Sequence, residues 1–298
     1  MSKDRYSVLL NASGCLDALT APDVARSFDA FVTKTVTPEP REGNEPPRIT
    51  ETDHGMLNSI GLQNPGRDRF LADVLPRLRE LEIPLWVSVG GFSAGDYAET
   101  CAELADVTIE LNLSCPNVDE APESAAEIVS ACRARSALPL YAKLSPQLPD
   151  VAAAARAVEA AGADGLSLVN TLHGLALDER TLRPRLGRGT GGYSGPALKP
   201  IALAAVYACR RATSLPIVGM GGVSNGRDAL ELIAAGATSV ALGTVLFSDP
   251  SAPVRVRQEL LSAAEAAGLT DPWIAVGISH EAAVPGVTTE KTPAFLAN

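Results

Sequence analysis

The feature that most constrains the fold is an alternation, along most of the chain, of short apolar runs with Ala-rich helical stretches. Strands of a parallel sheet that is buried on both faces appear in sequence as nearly continuous runs of Val, Leu and Ile. The runs are Tyr6–Leu10, Ala30–Lys34, Pro84–Val89, Thr108–Asn112, Pro139–Lys143, Gly165–Val169, Pro216–Gly219 and Ser239–Gly243. The amphipathic segments are Arg67–Glu82, Ala94–Leu104, Ala125–Arg133, Val151–Ala161, Lys199–Arg210, Arg227–Ala234 and Val254–Ala267. In a chain of 298 residues, this pattern predicts an α/β fold, a (β/α)8 TIM barrel in one domain spanning 1–298, with an open doubly wound sheet as the alternative.

Two long segments interrupt the alternation. Thr35–Gly66 follows the second predicted strand, and Thr171–Gly195 follows the sixth. Because loops of this length in a compact domain are usually lids or binding loops, we predict a barrel with long functional loops after strands 2 and 6. The tail 270–298 receives no assigned role.

Charge and cysteine usage narrow the class of protein. A formal net charge of -10 disfavours nucleic acid and anionic membranes as partners. No basic-then-apolar leader and no apolar run of about 18 residues is present, which predicts a soluble, cytoplasmic protein with no membrane partner. The 5 cysteines are scattered without a C-x-x-C pair, and the histidines are isolated. We therefore predict no metal site and no iron–sulfur cluster held by this chain alone.

Polar, cationic or glycine residues follow every predicted strand. In a parallel barrel the carboxyl ends of the strands open onto one face, where the active site lies. Packing alone does not require such residues at all of these positions, so we predict a site there. The residues concerned are Asn11–Gly14, Lys34 and Thr35, Gly90 and Gly91, Asn112–Asn117, Lys143, Asn170 and Thr171, Gly219–Asn225, and Gly243 and Thr244.

The glycines after the last two strands predict a phosphate-bearing ligand. Gly219, Gly221 and Gly222 leave backbone N–H groups accessible to an anion, as does Gly243-Thr244. Lys34 and Lys143 are costly to bury without an anionic partner. A flavin explains both features, because its phosphate would meet the glycines and a lysine would stabilise negative charge on the reduced ring. The alternatives are plain turn glycines, solvated lysines, and a barrel that binds a phosphorylated metabolite without redox chemistry.

The segment Glu110–Asn117 is the candidate centre of the chemistry. Carboxamides of Asn112 and Asn117 can read donors and acceptors on a planar polar ligand, and the thiol of Cys115 between them could transfer a proton. The competing interpretation is that Cys115 is a small buried hydrophobe and the asparagines form turns.

The sequence resembles the class 1 dihydroorotate dehydrogenases, the soluble FMN enzymes of pyrimidine synthesis, from about Asn11 to Pro250. Two of its segments, Gly55–Gly66 and Gly191–Pro200, are most similar to the NAD-linked subclass 1B. The motifs that carry the resemblance are Asn11–Gly14, Arg41–Asn44, Gly55–Asn64, Asn112–Asn117, Ala142–Pro146, Gly191–Gly195 and Gly219–Gly222.

The resemblance implies specific roles for matching residues. Cys115 would be the general base that takes a proton from C5 of dihydroorotate while hydride leaves C6 for flavin N5, and Lys34 would assist at the same centre. FMN would be held by Ala12, Ser13, Lys34, Thr35, Asn112, Lys143, Val169, Gly195, Gly221, Gly222, Gly243 and Thr244. Orotate would be held by Lys34, Asn58, Gly61, Leu62, Asn112, Asn117, Asn170 and Thr171. The resemblance also implies a homodimer, alone or as the core of a hetero-oligomer with an electron-transfer subunit that carries FAD and an iron–sulfur cluster.

The chain departs from the family pattern after Asn117. The acidic segment Val118–Glu123 leads almost at once into a predicted helix, where the family has a longer loop over the substrate. An acidic segment is unfavourable beside an anionic substrate. An alternative function is therefore FMN-dependent oxidation or reduction of a different cyclic amide or unsaturated acid.

Overall fold

The computed structural model describes residues 8–113 and 124–281, and in these ranges eight parallel strands form a nearly closed barrel. The barrel strands are β1 (Leu9–Asn11), β2 (Phe31–Val32), β5 (Leu85–Val89), β6 (Thr108–Asn112), β7 (Leu140–Leu144), β8 (Gly165–Leu168), β11 (Ile217–Met220) and β12 (Ser239–Leu242), numbered together with the strands of a second sheet described below. Their order around the barrel is β1-β12-β11-β8-β7-β6-β5-β2, which confirms the predicted (β/α)8 architecture.

A side-chain amide helps to close the barrel where the ladder is weakest. Strands β1 and β2 are joined by one isolated parallel bridge, between Leu10 and Ala30. The fully buried Asn11 carboxamide accepts a hydrogen bond from Val32 N at 2.8 Å and donates one to Val32 O at 2.8 Å. Asn11 therefore supplies the paired donor and acceptor that a neighbouring strand would otherwise provide.

The strand residues divide between two apolar regions. Leu10, Val32, Tyr141 and Met220 belong to a small cluster inside the barrel, where the rings of Trp86 and Tyr141 lie 4.4 Å apart. Their neighbours along each strand pack outward against the helices in a much larger cluster. This alternation follows from the two-residue period of a strand.

Helices surround the barrel, and several begin at a side-chain cap. Ser93, Asp150 and Asn225 each accept a hydrogen bond from a backbone N–H of the first turn, and Ser124 forms a capping box with Glu127. Such caps satisfy donors that have no partner within the helix. The helices are α1 (Pro22–Ala25), α2 (Arg67–Arg69), α3 (Leu75–Arg79), α4 (Ala94–Glu103), α5 (Ala125–Arg135), α6 (Val151–Ala160), α7 (Lys199–Ala212), α8 (Gly226–Ala235), α9 (Val245–Ser248) and α10 (Ala252–Ala266).

The helix expected at Arg67–Glu82 differs from the prediction. A π-helical turn at Phe70–Val74 separates α2 from α3, which ends at Arg79. Pro76 lies in the first turn of α3, where its missing N–H is tolerated. None of the helices in the described ranges is long and apolar enough to span a membrane.

The two segments expected to be long loops contain a second sheet, which we did not predict. Its four antiparallel strands run in the order β3-β4-β10-β9. Backbone fits closely there, because a Cβ on Gly191 would lie 2.4 Å from the carbonyl oxygen of Asn58. The strands are β3 (Ile49–Thr52), β4 (Gly55–Asn58), β9 (Leu172–Leu175) and β10 (Thr190–Ser194).

Candidate functional site

A cavity of about 560 Å³ lies at the carboxyl ends of the barrel strands, with residues of the second sheet also in its wall. A volume of this size suits a small-molecule or cofactor site. Sixteen of the residues proposed from sequence line it, namely Ala12, Ser13, Lys34, Thr35, Asn58, Leu62, Asn112, Lys143, Val169, Asn170, Thr171, Gly195, Gly221, Gly222, Gly243 and Thr244.

Three proposed residues are not placed in this wall. Gly61 is not among the lining residues; its φ is +75° and its carbonyl oxygen accepts a hydrogen bond from Arg41 Nε at 3.1 Å. Cys115 and Asn117 lie outside the described residues. The structure does place Asn112, at the end of β6, on the cavity wall.

A chain of amides and hydroxyls crosses the floor of the cavity. Asn170 Nδ2 donates to Asn112 Oδ1 at 3.0 Å, and Asn112 Nδ2 donates to Thr35 Oγ1 at 3.1 Å. Thr35 Oγ1 lies 2.9 Å from the buried Ser88 Oγ and 3.4 Å from Ser13 Oγ. These bonds orient both carboxamides, so that their remaining donors and acceptors are fixed before a ligand arrives.

Lys143 is held by a carboxylate inside the barrel. Its side chain is 7% exposed, and Nζ lies 3.3 Å from Oε1 of Glu110, whose side chain is 1% exposed. Lys143 was expected to need an anionic partner, but Glu110 was not identified as that partner from the sequence. The strand period could have identified it, because Glu110 alternates with the outward-packed Ile109 and Leu111.

Lys34 has a different environment. It lines the cavity with an exposed side chain and makes no ion pair with any described residue. Protein encloses the ammonium on its other sides, so desolvation lowers its pKa from the ordinary value of 10.5, while the charges of Cys15 and Asp17 act in the opposite direction. An unpaired cation on a cavity wall is suited to binding an anion.

A second thiol also lies on the wall. Burial raises the pKa of Cys15, and the nearby charges of Lys143 and Lys34 oppose this shift without reversing it. A raised pKa keeps the thiol protonated near neutral pH, which makes Cys15 a poor base. Within the described ranges, no group of three or more His, Cys, Asp or Glu side chains could hold a metal ion.

The opposite end of the cavity consists largely of backbone. Gly222 has φ +79°, and a Cβ there would lie 2.5 Å from the backbone nitrogen of Lys199. Gly195 and Gly243 line the same cavity, and Thr244 Oγ1 donates to Ser194 Oγ at 2.8 Å. Backbone N–H groups in glycine turns of this kind can bind phosphate oxygens without side chains.

Asp228 holds the chain directly after the glycine turn in place. Its Oδ2 accepts a hydrogen bond from Ser224 N at 2.9 Å, and its Oδ1 lies 2.7 Å from Lys199 Nζ. The side-chain hydrogen bond to Asp228 raises the pKa of Lys199. Neither Asp228 nor Ser194 was identified from sequence, because the contact of Asp228 with Ser224 N depends on turn geometry and that of Ser194 joins it to Thr244, 50 residues away in the chain.

The geometry agrees with what similar proteins show. Residues 3–263 match the family model described as dihydroorotate dehydrogenase. A solved structure of DHODH from Eimeria tenella in complex with ferulenol superposes with a TM-score of 0.79 at 25% identity, covering 92% of this chain and 85% of that one.

Curated relatives are more similar in sequence. The dihydroorotate dehydrogenase B (NAD(+)) catalytic subunit of Listeria monocytogenes is 42% identical over 278 residues, 88% of this chain and 91% of that protein. Its counterpart from Geobacillus kaustophilus is 44% identical over 258 residues, 81% of this chain and 82% of that protein. By the family match and by these identities, the chain belongs to the dihydroorotate dehydrogenase family.

Proposed function

We propose that this chain oxidises (S)-dihydroorotate to orotate in pyrimidine biosynthesis, using FMN held in the cavity. The observation that carries the proposal is the division of this cavity between a wall of lysine and amide side chains and an end built from glycine backbone. An anionic planar substrate needs the first, and the phosphate of a flavin nucleotide needs the second. Membership of the dihydroorotate dehydrogenase family supports the same reaction.

The residues at both ends of the cavity fit FMN. The turn Gly221-Gly222 has positive φ at both residues, and a Cβ on Gly222 would lie 2.5 Å from Lys199 N, so only glycine fits this close backbone approach. Backbone N–H groups in such a turn can bind phosphate. At the other end, Lys143 and the oriented Asn112 offer a cation and an amide to the polar edge of the ring. FMN, when bound, supplies the hydride acceptor of the reaction.

The residues of the chain then have distinct tasks. Cys115 removes the proton from C5 of dihydroorotate, and loss of hydride from C6 completes the C5=C6 double bond of orotate. Lys34 binds the anionic substrate, because it is the cation of the wall that has no ion pair among the described residues. The remaining substrate contacts are proposed for Asn58, Gly61, Leu62, Asn112, Asn117, Asn170 and Thr171.

The electrons leave through a partner. The relatives named above are called catalytic subunits of an NAD(+)-linked enzyme, and we propose that this chain likewise works with an electron-transfer subunit that carries FAD and an iron–sulfur cluster. A homodimeric core and a cytoplasmic location complete this proposal.

Two experiments test the proposal: identification of the bound cofactor, and a comparison of electron acceptors for the reduced flavin. The purified protein should be yellow and should release FMN on denaturation, whereas a barrel that binds a phosphorylated metabolite without redox chemistry would be colourless. After reduction by dihydroorotate, the flavin should reoxidise slowly with NAD alone and rapidly with NAD once the electron-transfer subunit is added. Rapid reoxidation by fumarate without a partner would contradict the proposed electron path.

A second candidate rests on the short acidic segment Val118–Glu123. Negative charge close to an anionic substrate weakens binding. The candidate is a related FMN enzyme that acts on a different cyclic amide or unsaturated acid, and of these an uncharged cyclic amide would avoid that repulsion. Substrate comparison under anaerobic conditions separates this candidate from the first.

A further inference from the structure

Glu110 is a buried carboxylate that neither the family resemblance nor the reaction scheme has used. It lies in the middle of β6, with its side chain inside the barrel and 1% exposed. Burying a carboxylate is unfavourable unless a cation and hydrogen bonds compensate. A carboxylate at this depth therefore needs a cationic partner close to it.

That partner is Lys143, and the strand register determines how the two are arranged. Strands β6 and β7 run parallel, with Glu110 opposite Tyr141 and Asn112 opposite Lys143. Lys143 is thus one strand period closer to the carboxyl end of the barrel than Glu110. Lys143 lines the cavity and Glu110 does not, so the carboxylate holds the ammonium from beneath the cavity floor.

The pair affects a bound flavin as two opposite charges. Reduction of FMN places negative charge on the ring, which a neighbouring ammonium favours and a neighbouring carboxylate disfavours. In the buried interior, neither charge is strongly screened. A flavin bound in this cavity would therefore experience the field of the ion pair and not that of an isolated lysine.

We propose that Glu110 is a positioning residue that fixes Lys143 at the cavity wall and offsets its charge, thereby setting the reduction potential of a flavin bound in this cavity. This inference rests on the proposed binding of FMN. It also separates the two lysines of the cavity: Lys143 has a permanent counterion within the protein, whereas Lys34 has none among the described residues.

The test compares reduction potentials of the FMN-loaded protein, measured by equilibration with a reference dye. Glu110→Gln removes the offsetting charge, so the ratio of reduced to oxidised flavin at a fixed dye potential should rise at least about tenfold, because at an effective dielectric constant of about 20 a unit charge within about 12 Å is worth that factor or more. Glu103→Gln is the matched control, because Glu103 Oε1 also lies 3.3 Å from its partner, Arg67 Nε, but the Glu103 side chain is 48% exposed and neither residue is part of the cavity wall. Its ratio should equal that of the wild type.

The double variant Glu110→Gln/Lys143→Met tests whether the Glu110 charge offsets that of Lys143, even where the single variant does not fold. It replaces the pair with neutral groups, a change that buried ion pairs often tolerate, and its potential is measured at saturating FMN. Because Lys143 lines the cavity and Glu110 does not, the double variant should be harder to reduce than the wild type, but by less than about tenfold, since the two lost charges largely offset each other. If Glu110 were only structural and the Lys143 charge acted alone, the double variant would be harder to reduce by well over tenfold, and Glu110→Gln would match Glu103→Gln. Either result would overturn the inference. A wild-type protein that binds no FMN would instead contradict the proposed function, and with it this inference.

Discussion

The two ends of the cavity achieve binding by different means. At the side-chain end, defined by Lys34, Asn58, Asn112, Lys143 and Asn170, charged and amide groups converge from separate strands. At the backbone end, defined by Gly195, Gly221, Gly222, Gly243 and Thr244, the chain itself approaches the ligand. Substitutions at the first end should change chemistry and substrate binding. Those at the second should change cofactor retention, with little effect on the reaction of protein that remains loaded.

The largest effect is expected from the thiol proposed as the base. Cys115→Ala should retain FMN but slow flavin reduction by dihydroorotate by roughly 10²–10⁴-fold, the usual contribution of a positioned general base. Rapid-mixing absorbance under anaerobic conditions measures this rate. Cys15→Ala is the control, because burial raises the pKa of Cys15, and its rate should change much less. An equal loss in both variants would mean that the choice of base is wrong.

The next largest effect concerns substrate binding at the side-chain end. Lys34→Met removes the cation that has no ion pair with the described residues, so orotate affinity should fall by roughly 10²-fold, the range for losing one member of a desolvated charge pair. Titration of the flavin spectrum with orotate gives the dissociation constant. FMN content should remain near the wild-type value, and equal loss of both ligands would remove the proposed distinction between the ends.

A smaller effect is expected at the backbone end. Gly222→Ala adds a Cβ 2.5 Å from Lys199 N at φ +79°, so FMN affinity should fall at least about tenfold from left-handed strain of roughly 1–2 kcal/mol and the clash together. Gly268→Ala is matched for backbone conformation, with φ +77° and no atom within 4 Å. The control should keep FMN. Gly222→Ala saturated with FMN should reduce at a normal rate; a slow rate in the saturated variant would contradict the division of labour.

The smallest effect is a dependence of orotate affinity on pH. Desolvation lowers the pKa of Lys34 below 10.5, so the ammonium loses its proton at a lower pH than a fully solvated lysine would. Affinity should be constant well below that pKa and should fall as pH rises through it, because only the ammonium pairs with the carboxylate of orotate. Orotate titrations from about pH 7 to 11 measure this, with Lys34→Met as the flat reference. A wild-type affinity that does not change over this interval would exclude Lys34 as the anion-binding group.

Sequence patterns predicted the barrel because its signal is local. Each strand is a short apolar run, and the predicted Thr108–Asn112 coincides with β6. The second sheet has no such signal. Its strands are rich in glycine, and the pairing of Asn58 with Gly192 joins residues far apart in the chain. Antiparallel pairing between two distant insertions therefore depends on the barrel that brings them together.

The candidate site was predictable to a similar extent. Glycines and lysines at the ends of strands are visible in the sequence, and Lys34, Lys143, Gly221, Gly222 and Gly243 line one cavity, whereas Gly90, Gly91 and Gly219 are not among its lining residues. The pairing of Glu110 with Lys143 and the hydrogen bond that Ser224 N donates to Asp228 were not predicted. These contacts depend on strand register and on turn geometry, which composition and spacing do not specify.

The most direct test of the central claim is anaerobic reduction of the bound flavin by saturating (S)-dihydroorotate. If the side-chain end binds this anion next to the ring of FMN, the flavin absorbance should bleach completely and orotate should appear in equal amount. Dihydrouracil, which lacks the carboxylate, should reduce the flavin far more slowly because it cannot pair with Lys34. Absence of bleaching by dihydroorotate, or faster bleaching by the uncharged ring, would contradict the account and favour a different substrate.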